Sequence, residues 1–297
     1  MSTPDPAAPP EVPVCYRHTD RETYIRCTRC ERPICPDCMI SAAVGFQCPE
    51  CVAEGRASVP EVRTRLGAKT ITRPYVSIAI IAINVVVYAV QFLSGPEFDQ
   101  KFALVPVNVA GYDEYYRLLT SMFMHVNLLH IGMNMLILWL FGPQLESLLG
   151  HVRFAALYLV AGLGGAVASF TFSQAYTLDT QNFYPTSAMG ASGAIFGLMG
   201  AYLVIGRRLN ADTTQVLGLI VINVVLGFVI PSTDWRAHLG GLITGALVAL
   251  PLAYASKRTA ILVQVVSVVV ILGLLYAAVL LRDQVLTAQM ITDHLRL

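Results

Sequence analysis

Residues 190–205 read Gly-Ala-Ser-Gly-Ala-Ile-Phe-Gly-Leu-Met-Gly-Ala-Tyr-Leu-Val-Ile, an apolar, glycine-rich run that begins with the hydroxyl of Ser192. A second such run, Ala237-His238-Leu239-Gly240-Gly241, carries an imidazole. Hydrocarbon makes both side chains costly. A histidine in a membrane segment is a functional-site candidate whose partner has to be found, and a serine is the partner that would make it a general base.

The surrounding composition supports a membrane setting. Of 297 residues, 55% are hydrophobic and 13% charged, and the mean hydropathy is +0.60. These values exclude a pair of ordinary soluble domains and define an all-α polytopic membrane protein. A net charge of +1, with no basic run interleaved with aromatic residues, excludes nucleic acid as a partner.

A spanning helix needs about 20 mainly apolar residues. Seven stretches qualify, at about 75–93, 128–145, 154–172, 187–205, 215–231, 237–255 and 260–281. Lys and Arg set the orientation. Arg56, Arg63, Arg65, Lys69 and Arg73 before the first span, Arg153, the Arg207-Arg208 pair, and Lys257 with Arg258 all fall on one side. Lys101, Arg117, Arg236, Arg282 and Arg296 fall on the other, offset by Glu97, Asp99, Asp113 and Glu114. The N-terminus is therefore expected in the cytoplasm and the C-terminus outside, in a multi-pass protein of the plasma or inner membrane. The opening Met-Ser-Thr-Pro-Asp-Pro lacks the basic and then apolar pattern of a secretory signal, which agrees.

All seven cysteines lie between Cys15 and Cys51. They fall in pairs, Cys15-x2-His18, Cys27-x2-Cys30, Cys35-x2-Cys38 and Cys48-x2-Cys51, giving eight N/S ligands. Eight ligands close two tetrahedral zinc sites with no open position for chemistry, so two structural zinc ions are expected and no catalytic metal. Interleaved pairing is expected, with Cys15, His18, Cys35 and Cys38 on one ion and Cys27, Cys30, Cys48 and Cys51 on the other. With only Tyr24, Ile25, Ile34 and Phe46 as core, the metal must supply most of the folding free energy. The arrangement resembles a B-box-type or RING-like cross-braced zinc finger, which implies binding of a cytosolic protein partner.

These readings divide the chain into a Pro/Ala-rich disordered start at 1–14, a zinc module at 15–52, a basic linker at 53–73, a six-helix core at 74–256, and a seventh helix with its tail at 257–297. The segment 94–127 on the outer side is semi-apolar, with Phe102, Leu104, Tyr112, Tyr115 and Tyr116. Its length and aromatic content suit a functional loop at the membrane interface. His125 and Asn127 read as interfacial polar residues, and Asp234 as a solvated loop residue.

Within the core, His130 and Asn134 are one turn apart on a shared helix face. With Ser192 and His238 they lie toward the outer half of the bilayer. His238 could take the Ser192 proton during attack on a carbonyl. His130, the Asn134 amide and the backbone N–H groups of Ala191 and Ser192 could hold the oxyanion. Gly193-x3-Gly197 and Gly241-x3-Gly245 are small-x3-small faces that let two helices approach closely. Phe196, one turn beyond Ser192, could stack on the His238 ring.

At these residues the chain resembles the rhomboid intramembrane serine proteases. Gly190-x-Ser192-Gly193 is similar to the family's nucleophile motif, His130-x3-Asn134 to its oxyanion motif, and Ala237-His238-x2-Gly241-x3-Gly245 to its base motif, in the family's order. The resemblance covers about residues 74–256 and implies a Ser192–His238 dyad without a third acid, oxyanion roles for His130 and Asn134, and a stacking ring at Phe196. Tyr116-Arg117 stands where the family usually has Trp-Arg. Glu146 resembles the acidic residue that ties the second helix near its inner end, and the last span resembles the form with one helix added after the six-helix core. The implied activity is endopeptidase cleavage of transmembrane segments of other membrane proteins, in the lipid bilayer, near its outer face. Two other classes fit part of the pattern: a non-proteolytic rhomboid-like scaffold that binds transmembrane clients, and a zinc-finger adaptor whose membrane part only anchors it.

Overall fold

The computed structural model describes residues 12–59, 62–173, 188–229 and 233–294. Most of the segment 1–14 expected to be disordered, the beginning of the fourth span, the end of the fifth and the last three residues lie outside the described residues. The chain forms two compact units, Met1–Val62 and Arg63–Leu297.

The first unit is built around its cysteines. Single bridges join Val14 to Glu22 and Arg26 to Pro33. The two-residue strands β1 (Ile40–Ser41) and β2 (Phe46–Gln47) pair antiparallel, and helix α1 (Pro49–Ser58) follows. The interior is Ile34 plus six buried cysteines, whereas Tyr24 is 75% exposed and Ile25 and Phe46 stand open to solvent. Of the four apolar residues expected in this core only Ile34 enters it, because the sulfurs already fill the interior.

The second unit is helical. Helices α2 (Tyr75–Ser94), α6 (Leu128–Leu149), α7 (His151–Phe172), α8 (Ser192–Leu209), α9 (Thr214–Val229), α10 (Trp235–Tyr254) and α11 (Ala260–His294) stand at the seven expected positions. Between α2 and α6 the segment 94–127 folds into three short helices, α3 (Pro96–Phe102), α4 (Pro106–Tyr112) and α5 (Arg117–Thr120). Five of the long helices are apolar and long enough to cross a bilayer by length and composition, namely α2, α6, α7, α10 and α11. The other two differ for physical reasons. Helix α8 is rich in glycine and ends on Arg207 and Arg208, and α9 has only 16 residues.

Helix α8 is the innermost element, buried along most of its length between α7 and α10. Gly150, at φ +78°, makes the tight join between α6 and α7 that a side-chain-bearing residue would strain. Two segment boundaries differ from expectation. The basic linker is divided: its first part is the body of α1, and residues 63–69 form a turn on the second unit, where Thr64 Oγ1 donates to the Leu148 carbonyl and Arg153 Nη1 donates to the Leu66 carbonyl. Helix α11 continues well past the expected end at 281. Val279 and Leu286 bury against Leu104, Val109 and Phe170, and Arg282 Nη2 donates to the Ser173 carbonyl at 2.6 Å.

Candidate active site

Ser192 is the first residue of α8 and His238 lies in the first turn of α10. Both helices begin at the same end of the bundle, and His238 Nε2 stands 2.9 Å from Ser192 Oγ. The approach depends on glycine. A methyl on Gly193 would sit 3.3 Å from the Ala237 carbonyl oxygen, and one on Gly241 would sit 2.7 Å from the Gly193 carbonyl carbon. The second pair of the two small-x3-small faces, Gly197 and Gly245, meets in the same way, a Cβ on Gly245 reaching within 2.5 Å of the Gly197 carbonyl carbon. Helices with side chains at these positions would be held apart.

The His238 ring is fixed by stacking. Its plane lies 12° from that of Phe196, with centroids 4.2 Å apart. His238 is 8% exposed, and its Nδ1 has no hydrogen-bond partner among the described residues, so no carboxylate forms a third member of the set. Asp234, expected in solvent, instead caps α10 by accepting from the Arg236 and Ala237 amides, and the Ser169 hydroxyl donates to it. The four orphan amides at a helix start explain why a carboxylate sits there.

Facing the serine is the start of α6. Gly190 has φ +144°, a conformation that favours glycine, and a Cβ there would meet His130 Cε1 at 2.8 Å and Nε2 at 3.1 Å, with Ser192 Oγ at 3.6 Å. The His130 imidazole and the serine hydroxyl therefore flank one small space. His130 Nδ1 accepts from the Val126 amide at 3.5 Å. With that nitrogen acting as acceptor, the proton of a neutral ring resides on Nε2, the atom beside Gly190. Asn134 is buried and uses one N–H on the His130 carbonyl at 2.8 Å, leaving its second N–H. Ala191 is the N-cap of α8, so the amides of Ala191 and Ser192 precede the helix ladder and are free to donate.

Two residues in this region have roles that their local sequence does not reveal. His125, read as interfacial, is fully buried, and its ring meets that of His130 edge-on at 5.2 Å. Gln91 of α2 grips its backbone from both sides, Nε2 donating to the His125 carbonyl at 2.8 Å and Oε1 accepting from its amide at 3.1 Å. Asn127 is the N-cap of α6, accepting from the His130 amide at 2.9 Å. In the preceding loop Arg117 is 2% exposed, bonded to Glu114 and to the Ala103 carbonyl. At the opposite end of the bundle Glu146 accepts from the Val76 and Ser77 amides and the Ser77 hydroxyl, tying α6 to the start of α2.

The first unit brings eight candidate ligands into two groups, Cys15, His18, Cys35 and Cys38, and Cys27, Cys30, Cys48 and Cys51, each with its donor atoms within 4.8 Å of one another. The spacing fits metal. Four sulfurs at about 2.3 Å from a tetrahedral zinc lie roughly 3.8 Å apart, and Cys30 Sγ is 3.8 Å from Cys48 Sγ. His18 Nδ1 lies 3.3 Å from Cys35 Sγ and 3.4 Å from Cys38 Sγ.

Comparison with known proteins finds relatives across the second unit. The rhomboid domain family matches residues 112–255. The rhomboid protease GluP of Bacillus subtilis is 32% identical over 217 residues, which is 69% of this chain and 40% of that protein. The putative rhomboid protease YdcA of the same organism is 31% identical over 155 residues, 48% of this chain and 72% of the relative. The rhomboid protease AarA of Providencia stuartii is 26% identical over 219 residues, covering 64% and 75% of the two chains. The chain thus spans well under half the length of GluP.

Proposed function

The chain belongs to the rhomboid family, and from that premise we propose that it is an intramembrane serine endopeptidase acting through Ser192 and His238. The observation that carries this reading is the 2.9 Å contact between His238 Nε2 and Ser192 Oγ beneath a stacked Phe196 ring. In the proposed reaction Oγ attacks the scissile carbonyl while Nε2 takes its proton. The tetrahedral oxyanion forms beside Gly190, held by His130 Nε2–H, the Asn134 amide and the backbone N–H groups of Ala191 and Ser192. His238 returns the proton to the leaving amine, and water, deprotonated in turn by His238, releases the acyl group from Ser192.

The substrate is a transmembrane segment of another protein. Helical carbonyls are hydrogen-bonded and shielded, so the segment must unwind locally to reach Ser192, and helix-breaking residues with a small side chain before the scissile bond favour cleavage. The basic side chains before α2, in the last turn of α8 and after α10 lie at the end of the bundle opposite Ser192. By the positive-inside rule the N-terminus is cytoplasmic, and cleavage occurs near the outer face of the plasma or inner membrane. The first unit holds two structural zinc ions and binds a cytosolic protein.

Labelling with a serine-reactive fluorophosphonate tests the reading. Purified protein should label, Ser192→Ala should not, and His238→Ala should lose both labelling and cleavage of a reconstituted transmembrane substrate. Absence of labelling and of cleavage in the wild type would leave a client-binding scaffold; labelling that survives Ser192→Ala overturns the nucleophile, and wild-type turnover in His238→Ala overturns the base.

A further inference from the structure

At the end of α8 and α10 remote from Ser192, the second unit contains a cavity of about 320 Å³ lined by Arg65, Leu66, Arg208, Leu209, Asn210 and Ala253. Three separate parts of the sequence build it. The turn at 63–69 is held rigidly, with Arg63 bridged to Lys69, the Thr64 amide donating to the Ala68 carbonyl, and the two bonds to Leu148 and Leu66 already described. This turn carries Arg65 to one wall. The opposite wall is the end of α8, where Asn210 at φ +54° closes the helix, and Ala253 of α10 completes the lining.

The lining has two guanidinium groups and no carboxylate. Neither Arg65 nor Arg208 forms an ion pair among the described residues, and Arg208 has only the face of Tyr254, 5.7 Å away. Compensation of the α8 dipole explains a cation in its last turn, but not why a second one is brought to it from the segment before α2. Two arginines lining one cavity supply planar forks of the kind that match the oxygens of a phosphate group. The neighbouring surface is suited to a hydrocarbon chain. Leu247, Leu250 and Tyr254 share one face of α10 and are all exposed, 44–54%.

We propose that this cavity binds the phosphate of an anionic glycerophospholipid between Arg65 and Arg208, with an acyl chain lying along Tyr254, Leu250 and Leu247. The lipid joins the 63–69 turn to the ends of α8 and α10, and a basic pocket between helices at a headgroup-level surface is the setting in which such lipids are held. The site is independent of catalysis at Ser192.

The test uses the full-length protein, delipidated in neutral detergent and titrated with phosphatidylglycerol, phosphatidylcholine or inorganic phosphate while native mass spectra and thermal unfolding are recorded. Wild type should retain one phosphatidylglycerol with about thirtyfold preference over phosphatidylcholine, the order expected for two basic side chains at an anionic interface. Arg65→Gln combined with Arg208→Gln should abolish the preference, Arg65→Gln alone should weaken it, and Arg73→Gln, which removes a charge outside the lining, should leave it intact. Equal preference in wild type and the double variant overturns the site. Loss of the same size in Arg73→Gln overturns it as well, since general surface charge would then be the cause. Stabilisation by inorganic phosphate equal to that by phosphatidylglycerol overturns the lipid assignment in favour of a free anion.

Discussion

Gly241 of α10 stands so close to Gly193 of α8 that a single added methyl would lie 2.7 Å from the Gly193 carbonyl carbon. Both partners are backbone, so no side chain can rotate away, and the helices must separate. Gly193 adjoins Ser192, and Gly241 is almost one turn beyond His238. Separation therefore acts directly on the 2.9 Å contact between the two functional side chains. Misplacement by about 1 Å costs about a hundredfold in rate. Gly241→Val should lower fluorophosphonate labelling by at least that factor and lower the melting temperature; unchanged labelling would show that the helices do not need this approach.

His130 is expected to affect rate more than folding. Its ring is fixed by the Val126 amide on one nitrogen and faces Gly190 with the other. Loss of one oxyanion donor typically costs about 10²–10³ in kcat. His130→Ala should lower kcat for a reconstituted transmembrane substrate by that order, with little change in KM and a retained thermal transition. A loss confined to KM would make His130 a substrate contact instead.

The site was legible to the extent that its parts are local. His130 and Asn134 share a face by spacing, the glycines mark the α8–α10 contact, and the paired cysteines count out two metal sites. The grip of Gln91 on His125 was not legible, because it joins residues of α2 to the segment before α6 and neither has a local pattern. Asp234 looked solvated because hydrophobicity says nothing about which loop residue will cap a helix. Helix α11 outruns its apolar window for a related reason: Arg282 and Asp283 end that window, yet the helix continues because Leu286 has Leu104, Val109 and Phe170 to pack on.

The loop between α2 and α6 should depend on pH through Glu114. Burial alone would push its carboxyl up, but hydrogen bonds from Arg117 and Asn108 and the Arg117 charge outweigh burial and hold it below the ordinary value. A carboxyl depressed in the folded state contributes stability that is present above the unfolded pKa and is lost as pH falls through the folded one. Glu114→Gln should therefore increase hydrogen exchange in residues 96–123 at neutral pH. The difference from wild type should fade below about pH 4, where the ordinary carboxylate begins to protonate. A difference that persists undiminished at low pH would assign the effect to packing.

Metal removal should separate the two units. Since Ile34 is nearly alone among apolar side chains in the interior of the first unit, chelation should unfold residues 15–51, releasing two equivalents of zinc, while the melting of the second unit and the labelling of Ser192 persist. The two sites should not release equally when Arg32 is changed. Its Nε lies 3.2 Å from Cys30 Sγ and its Nη2 3.6 Å from Cys48 Sγ, so it offsets the charge of the four-thiolate group, whereas the group containing His18 has three thiolates and less charge to offset. Outer-shell partners of this kind contribute about 10–100-fold to affinity. Arg32→Ala should accelerate the release of one zinc equivalent to a colorimetric chelator and leave the other unchanged; equal acceleration of both would mean that Arg32 supports the fold of the unit and not the one site.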